Sequence, residues 1–272
     1  MTVAIDTGNV QSSDANAFLG GAYSVSMNVT CGASDNCLAV LIGASGGATS
    51  YPTYTSLQYN GVALSFLSGS SSQLLNANYF STYIYYLMAP PTGASYALNV
   101  IWTVGQGGAI AVPMSGVNST TPFGTPILAS SSANNSAAVT ATGASASGLY
   151  LGVAFNAIAT MVASGANQTN LAALNAFNTN TSVTGDYVPG VDAGAFSWTG
   201  SGTQWQNGWV ATGVPVNAVA SPPGAGSLVL SGNQPGLVRG TVLTPNTAKV
   251  RDAIRQLGRA IFLPSRSPLI RV

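Results

Sequence analysis

The feature that most constrains the fold is a succession of short strand-like runs separated by Gly- and Ser-rich stretches. Residues 24–30 alternate polar and apolar side chains, whereas residues 38–42 form an unbroken apolar run. Alternation is typical of a strand with one buried face, and a continuous run is typical of a strand buried on both faces. Further runs lie at residues 79–88, 98–102, 109–112, 138–141, 149–155, 195–198, 206–211 and 228–230. Short strands at this spacing predict an all-β protein, a β-sandwich with a jelly-roll-like arrangement.

Two segments carry local signals of their own. Asn60-Gly61 stands between two β-prone stretches, and this dipeptide supplies the two positive-φ residues that a type I′ hairpin turn needs. Residues 167–177 place Leu171, Leu174 and Phe177 at a spacing that would put them on one side of a helix. The sequence leaves two alternatives for that second segment, a helix or a long loop at the edge of the sandwich.

Charge is scarce in this chain and unevenly placed. Charged residues make up 5% of it, against roughly 25% in ordinary soluble domains. Residues 1–238 carry five acidic and no basic side chains, a net charge of −5, whereas residues 239–272 carry seven basic and one acidic, a net charge of +6. The basic residues are Arg239, Lys249, Arg251, Arg255, Arg259, Arg266 and Arg271. A basic tail on an acidic body indicates a docking arm.

The composition also changes near residue 220. Residues 221–236 are rich in Pro and Gly, which predicts a linker between a sandwich domain at 1–220 and an arm at 221–272. Thr244 is suited to cap a helix with Pro245 at its first position, so a helix is expected over about residues 245–262. Its apolar face consists of Val250, Ile254, Leu257 and Ile261, beside a stripe of Arg251, Arg255 and Arg259.

This basic helix has four candidate roles. Six net positive charges would neutralise only a few phosphates of a nucleic acid, so nucleic acid is not the expected partner. The apolar face is narrow and has no Trp, which disfavours a membrane surface. Docking onto the acidic body of another copy or of a neighbouring subunit is favoured, because exchanging a terminal element is a simple route to homo-oligomers. The remaining alternative is a helix folded back on its own sandwich.

Catalytic chemistry has few candidate residues. The chain has no His and no Glu, so a Ser-His-Asp or Cys-His site is excluded within it, and general acid–base work falls to Asp alone. Asp186 and Asp192 could share a Ca²⁺ ion in their Gly/Pro-rich stretch, although a plain surface loop is favoured. Asp35 is expected to cap or turn its own loop through an Asx-type hydrogen bond. We therefore predict a non-enzyme with no metal and no cofactor.

Cys31 and Cys37 flank a five-residue polar loop between two strands. They could close that loop as a disulfide, or remain as two reduced thiols. Two thiols without His cannot complete a zinc site. Cytoplasmic synthesis argues against the disulfide and release into an oxidising medium argues for it, so both alternatives stay open.

Aromatic residues cluster at 79–86 and at Trp198, Trp205 and Trp209. Such rings either fill the core or form flat stacking platforms for sugars, and the core is favoured.

The N-terminal residues 1–6 have no basic stretch followed by an apolar one, so no signal peptide is predicted. No run reaches the roughly 18 apolar residues of a membrane span. The chain is therefore expected to be made in a cytoplasm and to leave it inside a larger particle.

Residues 25–155 resemble β-sandwich domains of phage structural proteins and of bacterial surface or secreted proteins. The resemblance is carried by the buried strand at 38–43, the hairpin at 57–64, the strand and Pro-Pro turn at 85–95, and the strand and polar loop at 114–122. Residues 223–235 also resemble a tail found in phage virion proteins. The resemblance implies a virion structural protein, either a capsid decoration or cement protein or a tail or head–tail component, with other virion proteins as partners. The alternative is a carbohydrate-binding adhesin or fibre module for host attachment.

Overall fold

Antiparallel strands make up nearly all of the regular structure. The computed structural model describes residues 1–15, 23–46, 54–73, 79–102, 105–131, 136–177, 181–192 and 194–220. These residues belong to one unit, Met1–Ala220. Within these ranges the only helical element is a 3₁₀ turn at Thr7–Asn9, and no helix is long and apolar enough to cross a membrane.

In chain order the strands are β1 (Ala4–Ile5), β2 (Gln11–Ala15), β3 (Tyr23–Thr30), β4 (Asp35–Ser45), β5 (Tyr54–Tyr59), β6 (Val62–Ala63), β7 (Ser65–Gln73), β8 (Tyr79–Met88), β9 (Ser95–Trp102), β10 (Gln106–Ser115), β11 (Ile127–Ser131), β12 (Ser136–Ala141), β13 (Leu149–Ala163), β14 (Thr169–Phe177), β15 (Thr181–Pro189) and β16 (Gly194–Val216). They form three antiparallel sheets. The central sheet has the order β1-β10-β4-β8-β7, with β2 also paired to β10. The four-stranded sheet has the order β3-β9-β5-β6, and the bent sheet has the order β11-β16-β13-β15-β14, with β12 also paired to β16.

The central sheet is covered on both of its faces. Along β4, Ala39 and Leu41 pack into a core shared with the bent sheet, while Leu38, Val40 and Ile42 pack into a second core shared with the four-stranded sheet. All five side chains are fully buried. The continuous apolar run at 38–42 therefore marks a strand buried on both faces, as the sequence predicts.

The bent sheet folds back on itself and encloses a third core. The first part of β16 pairs with β12 and the end of β13, and its second part pairs with β11 and the beginning of β13. The two parts come close enough that a Cβ on Gly152 would lie 2.7 Å from the Phe196 ring. A side chain at this position would collide with that ring, so glycine is what permits the close packing of the two layers.

The predicted all-β class is confirmed, and so is the Asn60-Gly61 hairpin. Both turn residues have positive φ, 50° at Asn60 and 76° at Gly61, as a type I′ turn requires. A jelly roll has two sheets, whereas the described residues form three, so that finer expectation is not confirmed. The predicted strand at 228–230, the linker and the helix at 245–262 lie outside the described residues.

Residues 167–177 form neither of the two structures expected of them. Most of the segment is β14, at one edge of the bent sheet. The pairing of β14 with β15 is irregular at two places, between Asn170 and Ala172 and between Leu174 and Phe177. The first irregularity inserts one residue, Leu171, and both Leu171 and Leu174 pack against the core although they are three positions apart. A bulge thus accommodates a helix-like apolar spacing within a strand.

Candidate functional site

The arm residues on which the docking hypothesis depends lie beyond residue 220 and outside the described residues. They are Arg239, Lys249, Val250, Arg251, Ile254, Arg255, Leu257, Arg259, Ile261, Arg266 and Arg271. What the structure does place is every acidic side chain of residues 1–220, together with both cysteines and most of the aromatic residues.

Both cysteines are free thiols, which is the reduced alternative of the two considered. Cys31 packs into the core between the central and four-stranded sheets, and Cys37 packs into the core between the central and bent sheets. Burial raises the pKa of Cys31 to about 11 and that of Cys37 to about 12. Because the thiolate is the reactive form, both thiols are inert in the folded protein near neutral pH.

Asp35, in the Cys31–Cys37 loop, lies beside the carboxyl group of Asp6. Its Oδ2 accepts a 2.7 Å hydrogen bond from the Gly32 amide, which lies within the loop but three residues earlier in the chain, so it is not the expected Asx-type bond. Asp6 reaches the same place from the N-terminal segment and accepts a 2.7 Å hydrogen bond from Asn9 Nδ2. Burial raises the pKa of Asp35, and the nearby Asp6 carboxyl raises it further, partly offset by the Gly32 bond.

Asp186 is the most deeply buried carboxyl group, with no exposed surface. One of its oxygens accepts hydrogen bonds from Trp198 Nε1 and from Thr184 Oγ1 at 3.0 Å. The other accepts from Asn170 Nδ2 at 2.9 Å. Burial raises the pKa of Asp186, while these donors oppose the rise. The carboxyl group is a polar centre that joins β14, β15 and β16 inside the bent sheet.

This position overturns the reading of Asp186 as part of a surface loop or a shared Ca²⁺ site. Asp186 lies within β15, and protein donors occupy both of its oxygens. Asp192 lies beyond the end of that strand, in a turn where its amide donates to the Pro189 carbonyl at 3.1 Å. In the part of the chain that the structure describes, no group of three or more His, Cys, Asp or Glu side chains could hold a metal ion.

Two of the three clustered tryptophans fill the core, as favoured. Trp198 is fully buried and Trp209 nearly so, both in the third core. Trp198 stacks on Phe196, with ring centroids 5.5 Å apart and an angle of 5° between the planes. The side chain of Trp205 lies outside the described part. The stacking platform that sugar binding would need is therefore not formed by Trp198 or Trp209.

The tyrosines of β8 are all partly buried, and two of them lie at the margin of the second core. Tyr83 and Tyr85 face the four-stranded sheet and are only partly buried. Tyr54, from β5, packs edge-on against both, at centroid distances of 4.8 and 5.9 Å. Phe66, from β7, packs against the Tyr85 ring at 5.2 Å and remains 57% exposed. These four rings form a cluster, here called the aromatic edge, whose outer member is open to solvent.

A cleft adjoins the aromatic edge. It has a volume of about 210 Å³ and is lined by Tyr54, Tyr85, Leu64, Ser56 and Gln58 among others. The cleft exists because the four-stranded sheet ends at the short strand β6, so it leaves the last rings of the central sheet uncovered. All of its lining residues are uncharged, so any ligand would be recognised by ring contacts and neutral hydrogen bonds.

Tyr54 and Phe66 were not singled out from the sequence. The Leu64-Ser65-Phe66 alternation beside the Asn60-Gly61 hairpin was the available signal for Phe66. Tyr54 had no comparable signal, because its orientation depends on a register shift between Tyr54 and Ser56 in the pairing of β5 with β9. That shift places Tyr54 opposite Trp102, on the core side.

Together these features define a class: an all-β protein of stacked antiparallel sheets, whose buried polar centres are structural and whose cleft beside the aromatic edge is neutral and aromatic. Comparison with protein-family models, with curated proteins and with solved structures gave no match to this chain.

Proposed function

We propose that this protein is a non-catalytic structural component of a phage virion, which docks onto neighbouring subunits through its basic C-terminal arm. The observation that carries the proposal is the separation of charge. Every acidic side chain but Asp252 lies before residue 220, and every basic one lies from residue 239 onward. The body of one copy is thereby an electrostatic partner for the arm of another, and such complementarity steers association and fixes partner choice.

The predicted arm helix at 245–262 would add an apolar anchor to this attraction. Val250, Ile254, Leu257 and Ile261 would bury their face against the neighbouring subunit, at about 25 cal/mol per Å² before ordering costs. Repetition of the contact over many copies of a lattice would multiply its effect. A capsid decoration or cement protein, or a tail or head–tail component, would gain stability in this way, with copies of itself and other virion proteins as partners.

Two further features support a structural role over an enzymatic one. The chain lacks His and Glu, the side chains that most often move protons in catalysis near neutral pH. The buried carboxyl of Asp186 is engaged by neutral donors of its own sheet. The resemblance of residues 25–155 to phage β-sandwich domains points to the same role and to the virion as location.

The test compares the full chain with a chain that ends at residue 238. Light scattering reports the oligomeric state of each, and co-sedimentation reports binding to particles that lack the protein. We expect the full chain to oligomerise and bind and the shortened chain to remain folded, monomeric and unbound. Equal assembly of the two chains would refute the docking role of the arm.

Two variants of the arm separate the contribution of its positive charge to assembly from that of its apolar face. Replacing Arg251, Arg255 and Arg259 by Gln keeps the length and the apolar face and removes three positive charges. We expect slower, less salt-dependent association, because exposed charges act mainly on the association rate. A matched variant with Ser at Val250, Ile254 and Leu257 keeps the charge, and its complex should dissociate faster.

A further inference from the structure

The aromatic edge and its cleft lie where the four-stranded sheet, which packs on the central sheet, ends at β6. The register of β7 with β8 pairs Phe66 with Tyr85, and the four-stranded sheet covers Tyr85 only in part. The outer ring, Phe66, is therefore held by strand pairing on one side and by the Tyr83 and Tyr85 rings beneath it. An aromatic ring fixed in this way presents a rigid apolar surface to solvent at low entropic cost.

The polar groups around the cleft are neutral hydrogen-bonding groups. Gln58 is exposed on β5 and offers both a carbonyl and an amide, and Ser56 is partly buried on the same strand. Neither of them, nor any other lining residue, carries a charge. A phosphate, a carboxylate or a basic peptide would find no counter-charge in this cleft.

Tyr54 provides a second, independent sign of a ligand. Its hydroxyl is buried and has no hydrogen-bond partner, although buried polar groups in folded proteins nearly always have one. Burial raises the pKa of Tyr54 well above its ordinary value, so the group stays protonated and can both donate and accept a hydrogen bond. It belongs to a residue that lines the cleft.

From these observations we propose that the cleft bounded by Tyr54, Gln58 and Tyr85 binds a neutral sugar ring of a glycan, which also packs on Phe66, the exposed ring in contact with Tyr85. A pyranose has apolar C–H faces that pack on aromatic rings, and hydroxyls that pair with an amide and a serine, and with the Tyr54 phenol once that buried hydroxyl turns toward the bound sugar. The cleft has a volume of about 210 Å³. It suits one sugar ring rather than an extended chain or a protein surface.

The site is independent of the structural role proposed above, because it uses only residues before 220. Removal of residues 239–272 is expected to abolish assembly and to leave sugar binding unchanged. Loss of sugar binding in Phe66 variants is expected to leave assembly unchanged. Failure of one proposal is thus distinguishable from failure of the other.

The test uses the full chain and four probes, the methyl glycosides of glucose, galactose, mannose and N-acetylglucosamine, measured by saturation-transfer NMR and titration. We expect at least one probe to bind, and Phe66→Ala to weaken its binding about tenfold through loss of the stacking ring. Phe66→Tyr keeps the ring and should bind like the native chain. Leu128→Ala is the matched control, an exposed apolar residue on β11 that is outside the cleft.

Tyr54→Phe tests the unused hydroxyl. It should weaken the binding of the same probe without lowering the urea midpoint of unfolding, because the hydroxyl it removes has no partner in the protein. Absence of binding for all four probes would overturn the proposal. So would binding that Phe66→Ala and Tyr54→Phe leave unchanged, since the sugar would then sit elsewhere.

Discussion

The bent sheet and the Cys31–Cys37 loop each bury one aspartate, and they do so in different ways. Asp186 sits between strands and receives hydrogen bonds from Trp198, Thr184 and Asn170. Asp35 receives the Gly32 amide and lies beside a second carboxyl group, Asp6. Burial raises the pKa of both aspartates, but the hydrogen-bond donors around Asp186 oppose that rise, whereas the Asp6 carboxyl adds to the rise at Asp35.

The difference shows that burial alone does not determine whether a buried carboxyl group stabilises or destabilises the fold. In the bent sheet the carboxylate accepts from three donors, so its removal leaves the Trp198 indole without an acceptor and takes one partner each from Thr184 and Asn170, which keep others. In the loop the carboxylate has one donor and an acidic neighbour, so neutralising it relieves repulsion. The two sites should therefore respond to the same substitution in opposite directions.

The largest effect is expected from Asp186→Ala. The Trp198 indole loses its acceptor inside the third core, and Thr184 and Asn170 each lose a hydrogen bond to a charged group, a kind of bond worth about 1.5–3 kcal/mol. We expect the free energy of unfolding to fall by at least about 3 kcal/mol, measured by urea denaturation of the full chain at pH 7. Asp192→Ala, in the turn after β15, is the control and should stay within about 0.5 kcal/mol of the native chain.

The second-largest loss of stability is expected from Trp198→Phe, which removes one hydrogen-bond donor to Asp186. Trp198→Phe retains a ring to stack on Phe196 but removes the indole N–H, and a hydrogen bond to a charged group is worth about 1.5–3 kcal/mol. We expect a loss of about 2 kcal/mol in urea denaturation. In the Asp186→Ala background the same substitution should cost much less, because its acceptor is already gone. Equal costs in the two backgrounds would mean that the indole contributes by packing alone.

Aspartate-to-asparagine substitutions compare the two sites directly. In Asp186→Asn, the new NH₂ group must face either the Asn170 amide or the Trp198 indole, so stability should fall by about 1–3 kcal/mol. In Asp35→Asn, the new Oδ1 can still accept from Gly32, and the new NH₂ can donate to Asp6. We expect Asp35→Asn to be neutral or stabilising by up to about 1 kcal/mol at pH 7. Losses of similar size at both sites would contradict the comparison.

The smallest effect is expected in how the stability of the native chain and of Asp35→Asn depends on pH. The folded-state pKa of Asp35 is raised above the ordinary value of about 3.9. Its contribution to stability is therefore fully present below that value and is lost as pH rises through the raised folded pKa. The native chain should lose more stability between pH 4 and pH 7 than Asp35→Asn does. Parallel stability–pH curves for the two chains would show that Asp35 does not titrate as described.

Much of the strand structure was predictable, because its signals are local. The run at 38–42 indicated a strand buried on both faces, and Asn60-Gly61 indicated a type I′ turn. Residues 79–88 match β8 from end to end. Side-chain periodicity and turn chemistry act over a few residues, so the sequence displays them directly.

Other elements were hidden from local signals. A bulge accommodates the apolar spacing of a helix within β14, and the runs at 195–198 and 206–211 proved to be parts of one strand of 23 residues, β16. The position of Asp186 could not be inferred, because its donors come from β14 and β16, up to 16 residues away along the chain.

The sequence by itself determined the all-β class, the hairpin, the buried central strand, and the separation of an acidic body from a basic tail. These properties depend on residue type and short-range order. The tertiary structure was needed to show that there are three sheets, that Asp186 is a structural acceptor, and that Tyr54 and Tyr85 line a neutral cleft. Those features arise from pairing register and sheet stacking, which bring together residues far apart in the chain, and no local pattern records such contacts.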